Sequence, residues 1–223
     1  MYAMILAAGR GERLRPLTDS IPKPLLKAGP RLLIEHHLHA LSAAGFSDVV
    51  INLGHLGQQI IDYLGDGSRY QLSIHYSDER NAVLETGGGI VKALPLLKSD
   101  PFLVINGDIW TDLDLSYLPG RIDSLAHLVL VKNPEHHPQG DFSLQGDMVK
   151  EKMNYPPSWT YSGMAVFSHA FFDQCKEERF PLAPLLRKHI AQGQVTGEVY
   201  NGLWFDIGTR ERLDELNSLL VSN

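Results

Sequence analysis

Residues 6–17 read Leu-Ala-Ala-Gly-Arg-Gly-Glu-Arg-Leu-Arg-Pro-Leu. An apolar run, residues 2–8, enters a turn that carries two glycines and a set of arginines. Gly9 and Gly11 let the backbone approach a ligand closely and aim N–H groups at it. Arg13 and Arg15 add guanidinium forks that suit phosphate oxygens, and Ala8 and Glu12 complete the turn. Leu14 stands where a dinucleotide fingerprint needs its third glycine, and the P-loop pattern is missing. The segment is therefore either a phosphate-binding turn of another kind or a tight turn with solvated arginines.

Three more segments carry chemistry. In Pro22-Lys23-Pro24 the prolines fix the backbone on both sides of Lys23, which makes it a placed point charge or simply a solvated lysine. Three glycines at 87–89 open a predicted helix. They either present backbone to a flat ligand or allow close packing, because glycine is costly inside a helix. Asp108, in Asn106-Gly107-Asp108, directly follows an apolar run, and Asp206 follows another. A carboxylate at the end of a strand suits Mg2+, which takes oxygen ligands and shares its sphere with phosphates. The alternative for either aspartate is a helix N-cap, with Thr209 three residues beyond Asp206.

These groups need a scaffold, and the pattern supplies one. Short apolar runs at 2–8, 49–53 and 102–105 alternate with helical periodicity at 32–44, 57–64 and 86–97, with a further strand at 72–76. Such runs suit strands covered on both faces, and the alternation calls for an α/β fold with a mostly parallel sheet. The second half is richer in strands: 126–132, a hairpin of 141–145 and 148–152 around Gly146-Asp147, 161–167, 194–199 and 203–205, with helices at 184–191 and 209–220. No linker divides residues 1–223, so a single domain is expected.

Composition narrows the function. The chain has 223 residues and a net charge of −6, with no basic stripe for a nucleic acid. Cys175 is the only cysteine, so no internal disulfide can form. The run at 2–8 is too short for a secretory signal, and nothing approaches the roughly 20 apolar residues of a spanning helix. A soluble, cytoplasmic chain without nucleic-acid or membrane partners is expected. His36, His37 and His39 have no i, i+4 metal spacing, and His37 falls on the apolar stripe of its helix. His136-His137 lacks the glutamate of a zinc protease, and no Gly-x-Ser-x-Gly occurs.

Residues 6–18 followed by Pro22-Lys23-Pro24-Leu25 resemble the signature of the sugar-1-phosphate nucleotidyltransferases, which join a nucleoside triphosphate to a sugar 1-phosphate and release pyrophosphate. The glycine run and Asn106-Gly107-Asp108 follow in the expected order. Residues 56–60, 64–69, 84–89, 92–97, 106–108, 110–112, 126–131 and 182–187 look like the branch that joins UTP to N-acetylmuramic acid 1-phosphate in peptidoglycan recycling. The sequence departs from many members at Thr86-Gly87-Gly88-Gly89, and at Glu79-Arg80-Asn81, where they carry a base-reading glutamine.

The resemblance implies a Rossmann-like three-layer sandwich with a mixed, mostly parallel sheet and no C-terminal β-helix. Residues 1–112 would be the nucleotide-binding half and 113–223 the sugar-binding half. It implies nucleotide binding by Ala8, Gly9, Gly11, Glu12, Arg13, Lys23, Gly87 and Gly88, with Arg15 and Lys23 catalytic. Asn106, Gly140, Asp141 and Glu151 would border the sugar, and Asp108 and Asp206 would hold Mg2+. Partners would be the small-molecule substrates, and the protein a monomer or homodimer. Mannose-1-phosphate guanylyltransferases and glucose-1-phosphate uridylyl- or thymidylyltransferases share much of the pattern. Two rivals stand further off: a glycosyltransferase using Asp112-Leu113-Asp114, and a non-catalytic nucleotide-binding module.

Overall fold

The computed structural model describes residues 1–80, 84–120, 123–152 and 157–221. The first half runs β1 (Tyr2–Leu6), β2 (Lys27–Ala28), β3 (Arg31–Leu32), α1 (Leu33–Ala43), β4 (Asp48–Leu53), α2 (Gly57–Leu64), β5 (Ser73–Asp78), α3 (Glu85–Ala93), β6 (Phe102–Asn106) and β7 (Ile109–Thr111). The second half runs β8 (Ala126–Val131), β9 (Phe142–Gln145), β10 (Met148–Glu151), β11 (Ser158–Phe167), α4 (Leu182–Ala191), β12 (Val195–Tyr200), β13 (Trp204–Asp206) and α5 (Arg210–Val221). Every strand and helix read from periodicity is present, most with ends shifted by a residue or two, while β11 begins three residues before the expected 161. The predicted helix at 86–97 stops at Ala93 and tightens into a 3-10 turn, Leu94–Leu96. Pro95 has no N–H to continue the α-helical ladder.

One nine-stranded sheet spans both halves in the order β5-β4-β1-β6-β11-β8-β12-β10-β9. The β5-β4-β1-β6 block is parallel, β11 runs antiparallel to both β6 and β8, and β12 is parallel to β8. Side-chain alternation along β1 makes the layers: Ala3 and Ile5 join the core under α1 and α2, and Met4 joins the core under α3 and α4. This is the expected three-layer sandwich. A third apolar cluster of Leu14, Leu26, Leu33, Ile207, Leu213 and Leu216 seats α5 against the loops that follow β1. No helix among the described residues is long and apolar enough to cross a membrane.

The chain leaves β1 for β4 on one side, then crosses back to β6 on the other, so the strand order reverses between β1 and β6. Ligands in open α/β sheets bind beyond the carboxyl ends of strands at such a point. Leu6 pairs with Asn106 there, and the Gly107 N–H donates to the Leu6 carbonyl at 2.9 Å. A Cβ on Gly107 would lie 2.6 Å from that same oxygen, so the close approach requires glycine.

Candidate active site

A cleft of about 420 Å³ opens at this crossing point. Its floor is Leu6–Arg10 after β1 and Asn106-Gly107-Asp108 after β6, and its walls include Lys23, Asn52, Glu79 and Leu84-Glu85-Thr86. Of the residues singled out from sequence, Ala8, Gly9, Lys23, Asn106 and Asp108 line it. A Cβ on Gly9 would meet nothing within 4 Å, so that position opens into the cleft. Asn106 is seated by a bulge in β11, where Gly163 takes φ +83° and a Cβ would come 2.6 Å from the Asn106 amide nitrogen.

Lys23 begins a 3-10 turn, Lys23–Leu25, and its Nζ lies 2.7 Å from Asp108 Oδ2. The lysine is only 9% exposed. Burial holds its amine below the ordinary lysine range, and the charges of Arg13 and Arg212 push the same way against Asp108. No helix follows Asp108, so it is not a cap. The Ile207 N–H donates to the Asp108 carbonyl at 2.8 Å, which brings the end of β13 and Asp206 alongside. Asp206 is ion-paired to Arg212, and His136 Nε2 lies 3.3 Å away. Burial, then Arg212, holds the His136 imidazole below its ordinary pKa. Thr209 Oγ1 accepts the Arg212 N–H at 3.5 Å at the start of α5, so Thr209 supplies the cap and Asp206 is left to the cluster.

Asp108, which lines the cleft, and Asp206, which is not among its lining residues, come from adjoining strand ends and offer carboxylate oxygens, the donor type Mg2+ prefers. A two-carboxylate set suits a metal that fills its sphere with phosphate oxygens and water. Among the described residues no group of three or more His, Cys, Asp or Glu side chains converges as a metal cage.

The structure places several of the expected residues away from the cleft lining. The N–H groups of Gly87 and Gly88 both donate to the Phe180 carbonyl, at 3.0 and 3.2 Å, and are not presented to a ligand. Cβ atoms there would overlap the Phe180 ring and the Glu178 carbonyl, so close packing explains the glycines, and Leu84–Thr86 just before them face the cleft. Gly11 takes φ +63° to make the turn, with its carbonyl accepting the Thr18 hydroxyl at 2.8 Å. Gly11, Glu12 and Arg13 are not among the cleft-lining residues. Arg15, 57% exposed, pairs with Asp19 at 3.2 Å outside it.

The second-half assignments also move. Asp141 Oδ1 lies 3.0 Å from His137 Nε2, and its Oδ2 accepts the Tyr161 N–H at 2.9 Å, so both oxygens are used to fix the turn to β11. Gly140 takes φ +59° against the Trp159 backbone. Glu151 is ion-paired to Arg187 of α4. None of the three lines the cleft. His37 is a core histidine: burial, helped by His36, pushes its pKa down to about 4.

Sequence reading missed other residues. Asn52 Oδ1 accepts the Ala7 N–H at 2.6 Å, and its Nδ2 donates to Glu79 Oε1 at 2.8 Å. This chain ties the ends of β1, β4 and β5 under the cleft, and burial raises the Glu79 pKa. A polar residue ending an otherwise apolar strand was the available signal. Arg10, His55, Arg80 and Glu85 also face the cleft. Asn81 lies outside the described residues.

The nucleotidyl transferase family model matches residues 2–143. An N-acetylmuramate alpha-1-phosphate uridylyltransferase of Neisseria meningitidis is 50% identical over 98% of this chain and 98% of its own. One of the same description from Caulobacter vibrioides is 34% identical over 92% and 91%. A solved Bacillus anthracis structure, described as a glucose-1-phosphate thymidylyltransferase, superposes with a TM-score of 0.87 at 22% identity, covering 100% of this chain and 96% of that one, a likeness of fold. With a glycine turn after β1, a buried lysine and the Asp108 carboxylate gathered where the strand order reverses, the chain belongs to the nucleotidyl transferase family, as a sugar-1-phosphate nucleotidyltransferase.

Proposed function

We propose that the protein joins UTP to N-acetylmuramic acid 1-phosphate, giving UDP-N-acetylmuramic acid and pyrophosphate, with Mg2+ as its metal. Identity of 50% across nearly the whole of a relative so described supports the substrates. Lys23, buried against Asp108 in the wall of the cleft, is the observation that carries the chemistry. We assign the reaction to the cytoplasm and to the reuse of cell-wall fragments.

An oxygen of the sugar phosphate attacks the α-phosphorus in line, a new P–O bond forms, and the bond to the bridging oxygen breaks as pyrophosphate leaves. No covalent bond to the protein is needed, so catalysis is positioning and charge stabilisation. Backbone at Ala8 and Gly9 lies along the triphosphate. Lys23 holds a proton at Nζ over the α-phosphate, where negative charge gathers. Arg13 and Arg15 meet the leaving pyrophosphate, Arg15 by swinging away from Asp19. Glu79, Arg80 and Leu84–Thr86 border the base, in the place of the glutamine of other members. Asn106 faces the sugar. Asp108 and Asp206 would hold the metal, which supplies charge neutralisation to the phosphate oxygens when bound. Most of the nucleotide contacts in this reading fall within residues 1–112, with Asn106 toward the sugar and Asp206, from the second half, at the metal.

Pyrophosphate release with Mg2+ tests this, pairing each of UTP, dTTP, GTP, CTP and ATP with N-acetylmuramic acid, N-acetylglucosamine, glucose and mannose 1-phosphates. Release with UTP and the muramic acid phosphate alone is expected. Turnover of GTP with mannose 1-phosphate instead would keep the family chemistry and remove the substrate assignment.

A further inference from the structure

Arg212 occupies the carboxylate that a metal would need. Its side chain is 18% exposed, and its guanidinium is ion-paired to Asp206 and donates from Nη1 to His136 Nε2 at 2.9 Å. The Arg13 guanidinium reaches the same face of Gly208: a Cβ on Gly208 would come 2.7 Å from Arg212 Nη2 and 3.0 Å from Arg13 Nη1. Glycine at 208 is thus what lets two guanidinium groups pass beside Asp206. The backbone that carries Arg212 is fixed, because Leu213 and Leu216 are buried in the third apolar cluster and Asn217 Oδ1 accepts the Gly29 N–H at 2.7 Å. Only the side chain is free to change partner.

From these positions we infer that Arg212 is the resident counter-ion of Asp206 in the substrate-free protein, so that a divalent cation reaches Asp206 only when a triphosphate takes over the guanidinium. This rests on the assignment of Asp108 and Asp206 as metal carboxylates made above. Arg13, Lys23 and Arg212 already outnumber the two carboxylates, and a divalent ion entering alone would face three cations in a partly desolvated site. A triphosphate reverses that balance. Its oxygens accept the planar fork of an arginine as well as Asp206 does, and they add ligands for the metal. Arg212 is then a positioning residue that couples metal binding to nucleotide binding, and the coupling is reciprocal.

The test is Mn2+ binding to the full chain, followed by electron paramagnetic resonance, with and without an α,β-methylene analogue of UTP. Arg212→Met is expected to tighten nucleotide-free Mn2+ binding by roughly tenfold, the scale of one charge-assisted hydrogen bond removed from competition. In the analogue complex it gains nothing, so the ratio between the two affinities shrinks. Arg212→Lys, which keeps a cation, should restore the weak nucleotide-free binding. If Arg212 served only to support the fold, Arg212→Met would weaken Mn2+ binding in both states, and that result, or unchanged binding in both, overturns the inference. Asp206→Asn separates the two levels. Loss of Mn2+ binding supports the metal assignment whatever Arg212 does. Binding at the wild-type level in Asp206→Asn removes that assignment and the inference with it.

Discussion

Lys23 Nζ sits 2.7 Å from Asp108 Oδ2, yet the lysine is buried while the side chain of the aspartate is 41% exposed. The pair therefore has one fixed end and one wet end. Lys23 can stay in place while Asp108 turns toward a metal, and loss of Lys23 leaves behind a carboxylate that water can still reach. Lys23→Met should lower kcat by about 100- to 1,000-fold, the usual effect of deleting a charge stabiliser, with little change in melting temperature. Steady-state kinetics beside a thermal melt check both parts.

The same lysine sets a pH limit. Its folded pKa lies below the ordinary lysine value, because burial opposes the charge. As pH rises through that lowered pKa, the amine loses the charge proposed to act on the phosphate, and kcat/KM should fall at a lower pH than an ordinary lysine would allow. Stability moves the other way in the same window. The unfolded chain still binds the proton that the folded chain has released, so this group's contribution to stability rises with pH until the unfolded lysine also titrates. A pH–rate profile of the wild type that shows no alkaline limb below the ordinary lysine range would remove Lys23 from the chemical step.

Asn52 and Glu79 give the opposite sign. Burial raises the Glu79 pKa, so as pH rises from the ordinary glutamate value through the raised one, the folded protein keeps a proton that the unfolded chain has lost, and stability falls. Glu79→Gln keeps an oxygen for the Asn52 amide and removes the charge. It should raise the melting temperature by about 2–4 °C at pH 8 and by less at pH 4. Asn52→Ala strands both the Ala7 N–H and Glu79 Oε1 and should cost about 2–4 kcal/mol in denaturant unfolding.

Lys23 and Gly9 could be read from the chain because contiguous residues build that part of the site: a strand, a glycine turn and a proline-framed lysine carry their own local geometry. Strand and helix periodicities likewise revealed the layers, since Met4 and Ile5 face different cores in a two-residue rhythm. Arg212 was not legible. In sequence it is one charge among several on an amphipathic helix, and only the packing of α5 brings it to Asp206. Gly87 and Gly88 carry two readings in sequence for a related reason. A missing Cβ makes room without saying for what, and here Phe180 fills the room. The resemblance implies Glu151 and Asp141 at the sugar, but partners from distant segments, Arg187 and Tyr161, hold them.

The glycines around the cleft separate these two uses of an absent side chain. Gly9→Ala adds a methyl group to open space, so it should fold with an unchanged melting temperature and raise the KM for nucleotide at least tenfold. Gly87→Ala meets the Phe180 ring, so it should lower stability by about 1–3 kcal/mol and leave the nucleotide KM of the folded fraction near wild type. Binding and melting measured on both variants decide the matter. A large KM effect in Gly87→Ala without loss of stability would return the glycine run to the binding site.

Arg15 offers the sharpest contrast among the charged residues. It is exposed, and Asp19, four residues on, holds it weakly, as is usual for a surface ion pair. Removing it should therefore leave stability within about 0.5 kcal/mol of wild type. If it swings to the leaving pyrophosphate, Arg15→Ala should nevertheless lower kcat by about 100-fold or more. Glu151→Gln breaks an ion pair of similar exposure with Arg187, yet it lies away from the cleft-lining residues and should change neither kcat nor KM. Equal kinetics in the two variants would mean that Arg15 stays with Asp19 through the reaction and that Arg13, Lys23 and Arg212 carry the phosphate charge among themselves.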